Sequence, residues 1–201
     1  PYQLQVNHDI YSLASVLGEQ GYQTMAIYPG IKTMWNRDEA YSYMGFDEFL
    51  DINGFETEYD KVRDYVSDDA NYNEIIWQFE HKKENQPLFL FDVTIQNHGG
   101  YGGGVDAGVS IEKLGNTPKE AWGDITDIET VVNLMKISDK ALHELIEYFE
   151  KVEEPTIICV FGAHQPKLGD NVYDVIMSGS GLTVEEFEAR KYITPYMIWA
   201  N

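Results

Sequence analysis

This chain lacks a second cysteine and any surplus of positive charge. Cys159 stands alone, so no disulfide can close within the chain. Set in the apolar run Thr156-Ile157-Ile158-Cys159-Val160-Phe161, it reads as a small buried hydrophobe. Basic side chains number 14 against 34 acidic ones, a formal net charge of -20. Such a balance repels a phosphate backbone and argues against nucleic acid as a partner. It also keeps the chain off an anionic bilayer unless a separate anchor holds it there. No stretch reaches the roughly 20 apolar residues that span a membrane, and no basic-then-apolar leader opens the sequence. Internal repeats and low-complexity tracts are likewise missing. What is present is the mix of a globular protein, 43% hydrophobic and 24% charged over 201 residues, enough for one domain with a real core. The abrupt start at Pro1, and an end at Trp199-Ala200-Asn201 straight after an apolar run, lead us to expect a piece of a longer protein.

Hydrophobic spacing predicts alternating helices and strands. Residues 9–20 read as a helix capped by Asp9 and stopped by Gly21. Thr24 to Tyr28 reads as a buried strand ended by Pro29-Gly30, and Arg37 to Met44 as a second helix closed by Gly45. Residues 46–59 read as an acidic loop. Ser67-Asp68-Asp69 starts a helix that places Ile75, Ile76 and Phe79 at core spacing. Leu88 to Ile95 reads as a strand covered on both faces. A glycine-rich excursion over residues 99–124 reads as functional or mobile. Thr126 to Lys151 is the clearest helix. The strand Thr156 to Phe161, a short helix near Val184 to Arg190 and a last strand, Tyr196 to Trp199, complete the pattern. It implies an α/β fold, a mostly parallel sheet with helices on both faces, whose ligands bind beyond the carboxyl ends of the strands. Three polar clusters are expected on that rim: Trp35-Asn36-Arg37, Gln96-Asn97-His98-Gly99-Gly100 and Gly162-Ala163-His164-Gln165-Pro166.

Each candidate admits two readings. Arg37 can hold a phosphate with two parallel hydrogen bonds while Trp35 covers a polyol. Alternatively, Arg37 pairs with Asp38 or Glu39 on the surface and Trp35 simply packs. His98 can donate to a phosphate oxygen or leaving group, or merely tie down its loop. His164 can ligate zinc or manganese or serve structure alone. His8, His81 and His143 read as solvated. The acidic residues of the 47–69 region lack EF-hand spacing and read as a solvated loop.

In order along the chain, Gly21-Tyr22-Gln23-Thr24, Trp35-Asn36-Arg37-Asp38, Met44-Gly45-Phe46-Asp47, Val66-Ser67-Asp68, Thr94-Ile95-Gln96-Asn97-His98-Gly99-Gly100-Tyr101 and Phe161-Gly162-Ala163-His164-Gln165-Pro166 resemble a known pattern. It is that of lipoteichoic acid synthases and related phosphoglycerol transferases, sulfatase-like enzymes of the alkaline phosphatase superfamily. The resemblance runs from about residue 11 to the end. It implies an alkaline phosphatase/sulfatase-like fold with its N-terminal part missing from this chain. It implies a manganese or other divalent ion, a threonine nucleophile, a phosphatidylglycerol-like lipid or envelope polymer as partner, and a place on the extracellular face of a bacterial membrane, held by upstream helices. Matched residue by residue, Trp35, Arg37 and His98 become substrate contacts and His164 a metal ligand. The departures are as telling. The family's Gly-Asp-His reads Gly162-Ala163-His164 here, and a methyl group cannot ligate a cation. The nucleophile and a glutamate ligand lie upstream of Pro1 in the family's order. The chain as it stands is therefore expected to be inactive, with no metal bound. Ala163 would be either an inactivating substitution or the mark of a degenerate homologue. Loss of the upstream strands is expected to expose apolar surface and a sheet edge through which copies could associate. Two alternatives remain: a sulfatase acting on a sulfated glycan, though no Cys/Ser-x-Pro-x-Arg sequence occurs, and a non-catalytic module binding glycerophosphate or glycan.

Overall fold

The computed structural model describes residues 5–114, 117, 118 and 126–201; the rest of the glycine-rich excursion lies outside the described residues. The chain forms two compact units, Pro1–Gln96 and Asn97–Asn201.

The first unit is built on a parallel three-stranded sheet. Its central strand, β1 (Gln23–Tyr28), is buried along its whole length. β2 (Glu48–Asp51) and β5 (Leu88–Asp92) flank it, both parallel to it. The register sets Tyr28 beside Asp51 and Ile27 beside Asp92, so one carboxylate stands on each side of the end of β1. A minimal antiparallel pair, β3 (Lys61–Val62) and β4 (Tyr65–Val66), lies between them in sequence.

Helix α1 (Leu13–Glu19) begins at Ser12, not Asp9. Ser12 caps the Ala14 and Ser15 amides, and Ser15 reciprocates, satisfying donors a helix start otherwise leaves open. Gly45 takes φ +83°, a conformation that favours glycine, and a Cβ there would crowd the Ser15 side chain at 3.1 Å. Helix α2 (Arg37–Tyr43) lays Tyr41 against Phe49 and Phe91, at ring distances of 4.8 and 6.1 Å. Phe46 stacks on Phe89 at 6.0 Å, and these rings form the apolar cover over β2 and β5.

Helix α3 (Asp68–Glu80) departs from expectation. Ser67 does cap it, accepting from the Ala70 amide at 3.0 Å. Its fully buried positions, however, are Asp68, Ala70, Asn71 and Glu74, a largely polar face at i, i+3, i+6 spacing. Ile75, Ile76 and Phe79 are only half-buried. The polar face is stable because its groups are engaged. Glu74 accepts from the amides of Glu56 and Thr57, the Thr57 hydroxyl and Gln78, as a buried carboxylate must.

The second unit is organised by α4 (Thr126–Phe149), which buries Ile128, Leu134, Ala141, Leu145 and Phe149. Asn133, also buried, accepts from the amides of Ala107 and Val109 and donates to the Val109 carbonyl. It thereby pins part of the glycine-rich excursion to the helix. Short strands β6 (Lys113–Leu114) and β7 (Thr117–Pro118) pair antiparallel. α5 (Asp170–Ser180), absent from the sequence expectation, brings Val172 against Ile128 with Ile111, Leu168 and Ile176 around them. α6 (Val184–Arg190) carries a Thr183–Glu186 capping box.

β8 (Ile157–Phe161) and β9 (Tyr196–Ala200) pair antiparallel. Cys159 is exposed, which corrects its reading as a small buried hydrophobe. It shares with Ile157 and Phe161 the face of β8 that alternation turns to solvent, and Ile198 and Tyr196 on β9 extend that exposed apolar face. The apolar run marks the strand correctly but not which of its faces is covered.

Candidate functional site

The first candidate site begins where β1 ends. Gly30 lies so close to Tyr28 that a Cβ would meet its ring at 2.6 Å. The chain then turns through Trp35 (φ 56°, ψ 26°) and Asn36 (φ 54°, ψ 36°). Two successive non-glycine residues in the left-handed region cost on the order of 1–2 kcal/mol each, and strain of this kind clusters at functional sites.

The turn delivers Arg37 between two rings. Its guanidinium carbon stands 3.7 Å from the Tyr28 ring centre and 4.7 Å from that of Trp35, and the rings meet edge-on at 6.1 Å. Arg37 is 8% exposed. Its Nε and Nη1 are buried and find no hydrogen-bond partner among the described residues. The surface ion pair with Asp38 or Glu39 does not form; Glu39 instead accepts from Asn36 at 3.2 Å. The aromatic faces offset part of the cation's desolvation but leave its N–H donors unmet. Such a group suits a tetrahedral or planar anion.

A second polar group, invisible to sequence reasoning, lies at the end of β5. Asn71 Nδ2 donates to Asp92 at 2.7 Å, and Asp92 Oδ1 is buried without a partner among the described residues. Burial pushes the Asp92 carboxyl up to about 7, with Asp68 adding to the rise against the lowering bonds from Asn71 and the Val93 amide. Burial, then Asp68 and Asp92, also raise Tyr72. Below these groups Gln96 accepts from the Asp68 amide at 3.0 Å and, through its carbonyl, from Arg63 at 2.8 Å. No motif marks Asn71 or Asp92, because helical Asn and strand-end Asp ordinarily face water.

His98 and His164 belong to the second unit. His98 is exposed on a turn that Asn97 ties to Ser138 of α4 at 2.8 Å, with the Tyr101 hydroxyl donating to the Asn97 carbonyl at 3.2 Å. Gly100 in this turn has φ +93°. His164 and Ala163 are exposed after β8. The Gly162 carbonyl accepts from Thr194 at 2.8 Å, and His164 Nδ1 donates to the Gln165 carbonyl at 2.8 Å. That bond leaves the lone pair on Nε2, the tautomer suited to metal ligation. Yet among the described residues no three His, Cys, Asp or Glu side chains come together as a metal-holding group. The donor set therefore does not fit a metal by itself. Gln165 and Pro166 also wall a cleft of about 320 Å³ with Leu168, Tyr173, Ile176, Phe187 and Lys191. The structure thus unites Trp35 with Arg37, and holds His98 and His164 on separate loops of the other unit.

Comparison with known proteins defines the class. Residues 3–201 match the Sulfatase family, and the fold is that of alkaline phosphatase-superfamily enzymes. The chain belongs to the sulfatase family. Among relatives, it is 31% identical over its whole length to a Rhizobium meliloti protein named as a candidate for cyclic beta-1,2-glucan modification, covering 31% of that protein. It is 26% identical to lipoteichoic acid synthase 1 of Bacillus subtilis, over 76% of this chain and 23% of that protein. Among solved structures, the lipoteichoic acid synthase LtaP of Listeria monocytogenes superposes with a TM-score of 0.70 at 20% identity, over 98% of this chain and 48% of that one. The Streptococcus pyogenes phosphoglycerol transferase GacH, solved with sn-glycerol-1-phosphate, gives 0.66 at 23% identity, over 90% and 44%. The periplasmic domain of Escherichia coli EptC, solved with zinc, gives 0.57 at 17% identity, over 94% and 52%. The chain therefore spans about a third or less of these curated relatives and about half of the solved chains. Among the described residues no helix is long and apolar enough to cross a membrane.

Proposed function

We propose that this chain forms the glycerophosphate-recognising part of a phosphoglycerol transferase-like enzyme that works on cell-envelope polymers. The observation that carries this reading is the buried guanidinium of Arg37, held between Tyr28 and Trp35 with Nε and Nη1 unmet. A phosphate oxygen supplies the acceptors those groups need, and the Trp35 indole, itself 37% exposed, offers an apolar face to the glycerol carbons. On the family resemblance, His98 would be a substrate contact and His164, through Nε2, a metal ligand. A divalent ion, manganese in our reading, would polarise the phosphoryl group in the complete enzyme. Ala163 adds no charge and no ligand beside His164, so this chain alone is inactive. The complete protein would act at the extracellular face of a bacterial membrane on a phosphatidylglycerol-like lipid, anchored by segments of its own. The exposed apolar face of β8–β9 would be covered there, or would mediate self-association of this chain.

Ala163 also favours a second reading, a binding module that retains the anion pocket without catalysis. Titration calorimetry with sn-glycerol-1-phosphate, without metal, tests the shared premise. Saturable binding lost in Arg37→Ala is expected; equal heats from both forms refute it. Manganese titrated into Ala163→Asp in the complete protein separates the two readings: restored transferase activity supports the enzyme, and metal binding without turnover supports the module.

A further inference from the structure

The arginine pocket is held from outside by a residue that takes no part in it. Asp51 closes β2 and is buried, and the register places it beside Tyr28, the residue whose ring carries the Arg37 guanidinium. Its Oδ2 accepts from the Lys32 amide at 3.0 Å. Its Oδ1 accepts from the Asn53 amide at 3.1 Å, and Asn53 Nδ2 adds a bond at 3.3 Å. Next to it the Ile52 amide donates to the Gly30 carbonyl at 3.2 Å.

Lys32 is a junction. Its amide is bound by Asp51, while its carbonyl accepts from the Asp38 amide at 3.2 Å. The Asp38 amide belongs to the same peptide group as the Arg37 carbonyl. An unbroken path therefore runs from the Asp51 carboxylate through one residue of the loop to the backbone of Arg37. Between the two anchors lie Trp35 and Asn36, the left-handed pair. A turn in a costly conformation persists only where its surroundings over-determine it, and the two bonds at Lys32 close the loop around it.

We infer that Asp51 is the positioning residue of the Arg37 site: by fixing Lys32 it holds the strained Trp35–Asn36 turn, and with it the guanidinium between its two rings. As a statement about Arg37 placement this stands on the geometry alone; as a statement about ligand affinity it rests on the glycerophosphate reading above.

The test is Asp51→Ala in this chain, with Asp51→Asn as the conservative partner, read well below the unfolding midpoint of each. The Arg37 Nε–Hε cross-peak in a nitrogen–proton correlation spectrum reports ring currents from Tyr28 and Trp35. It is expected to move in Asp51→Ala toward the position of a solvent-exposed arginine, and to return most of the way in Asp51→Asn, which keeps one acceptor. Affinity for sn-glycerol-1-phosphate should fall on the order of tenfold in Asp51→Ala, the scale of one lost charge-assisted hydrogen bond. If Asp51→Ala does not fold, Asp51→Asn is read alone for a partial shift. A moved cross-peak in a chain that never binds glycerophosphate upholds the positioning role and removes the ligand reading. An unmoved cross-peak in the folded variants overturns the inference, whatever happens to their stability.

Discussion

Asn71, at the first full turn of α3, donates a 2.7 Å hydrogen bond to Asp92 at the end of β5, tying helix to sheet through a carboxyl group that burial holds near neutrality. This pairing sets a pH dependence. The carboxyl goes from an ordinary value of 3.8 unfolded to about 7 folded. Between those values the unfolded chain has lost the proton and the folded chain keeps it, so this group's contribution to stability is present below pH 3.8 and is lost as pH rises toward 7. Asp92→Asn removes the titration. Urea unfolding should show the variant gaining on the parent between pH 4 and 7, by about 4 kcal/mol at the limit of roughly 1.4 kcal/mol per unit. A constant difference across that range would place the Asp92 titration elsewhere.

Glu74 has no exposure and holds residues 56–57 by three accepted bonds. Glu74→Ala leaves two amides and a hydroxyl without their acceptor. We expect a loss of about 3 kcal/mol in chemical unfolding, with Glu74→Gln losing less because it keeps one acceptor oxygen.

Asn133 binds the backbone at residues 107 and 109 from the middle of α4. In Asn133→Ala the amides of Ala107 and Val109 should exchange with solvent at least about tenfold faster, while amides of β1 keep their protection. Unchanged exchange at both positions would show that the glycine-rich segment is held by other contacts.

Cys159 lies on the open face of β8. A thiol reagent should therefore label the native chain at nearly the rate of the unfolded chain. Labelling only on denaturation would mean that the face is covered in solution, as self-association through β8–β9 would do.

Much of this fold was legible because local signals and tertiary burial agree. β1, α2, the Ser67 cap and α6 follow directly from apolar spacing, capping residues and glycine stops. Elsewhere they part. β2 was hidden because Glu48 and Asp51 make residues 46–59 look solvated, although Asp51 is buried by the bonds it accepts. α5 carried a usable signal in Val172, Val175 and Ile176 at helical spacing, but Gly169 and Asp170 read as loop. The buried face of α3 could not be read at all: Asp68, Asn71 and Glu74 are chosen by partners distant in sequence. The direction of β9 and the open face of Cys159 are likewise set by non-local pairing. At the candidate site, Trp35 and Arg37 come together as the motif led us to expect, and the alternative reading of Arg37 as a surface ion pair fell to burial. The supporting roles of Tyr28, Asp51 and Lys32 have no sequence signature.

A crystal structure of this chain with sn-glycerol-1-phosphate decides whether Arg37 reads a phosphate. Phosphate oxygens are expected within hydrogen-bond distance of Arg37 Nε and Nη1, with the guanidinium still between Tyr28 and Trp35. Phosphate bound elsewhere, or Arg37 turned out to meet a carboxylate of its own chain, would contradict it.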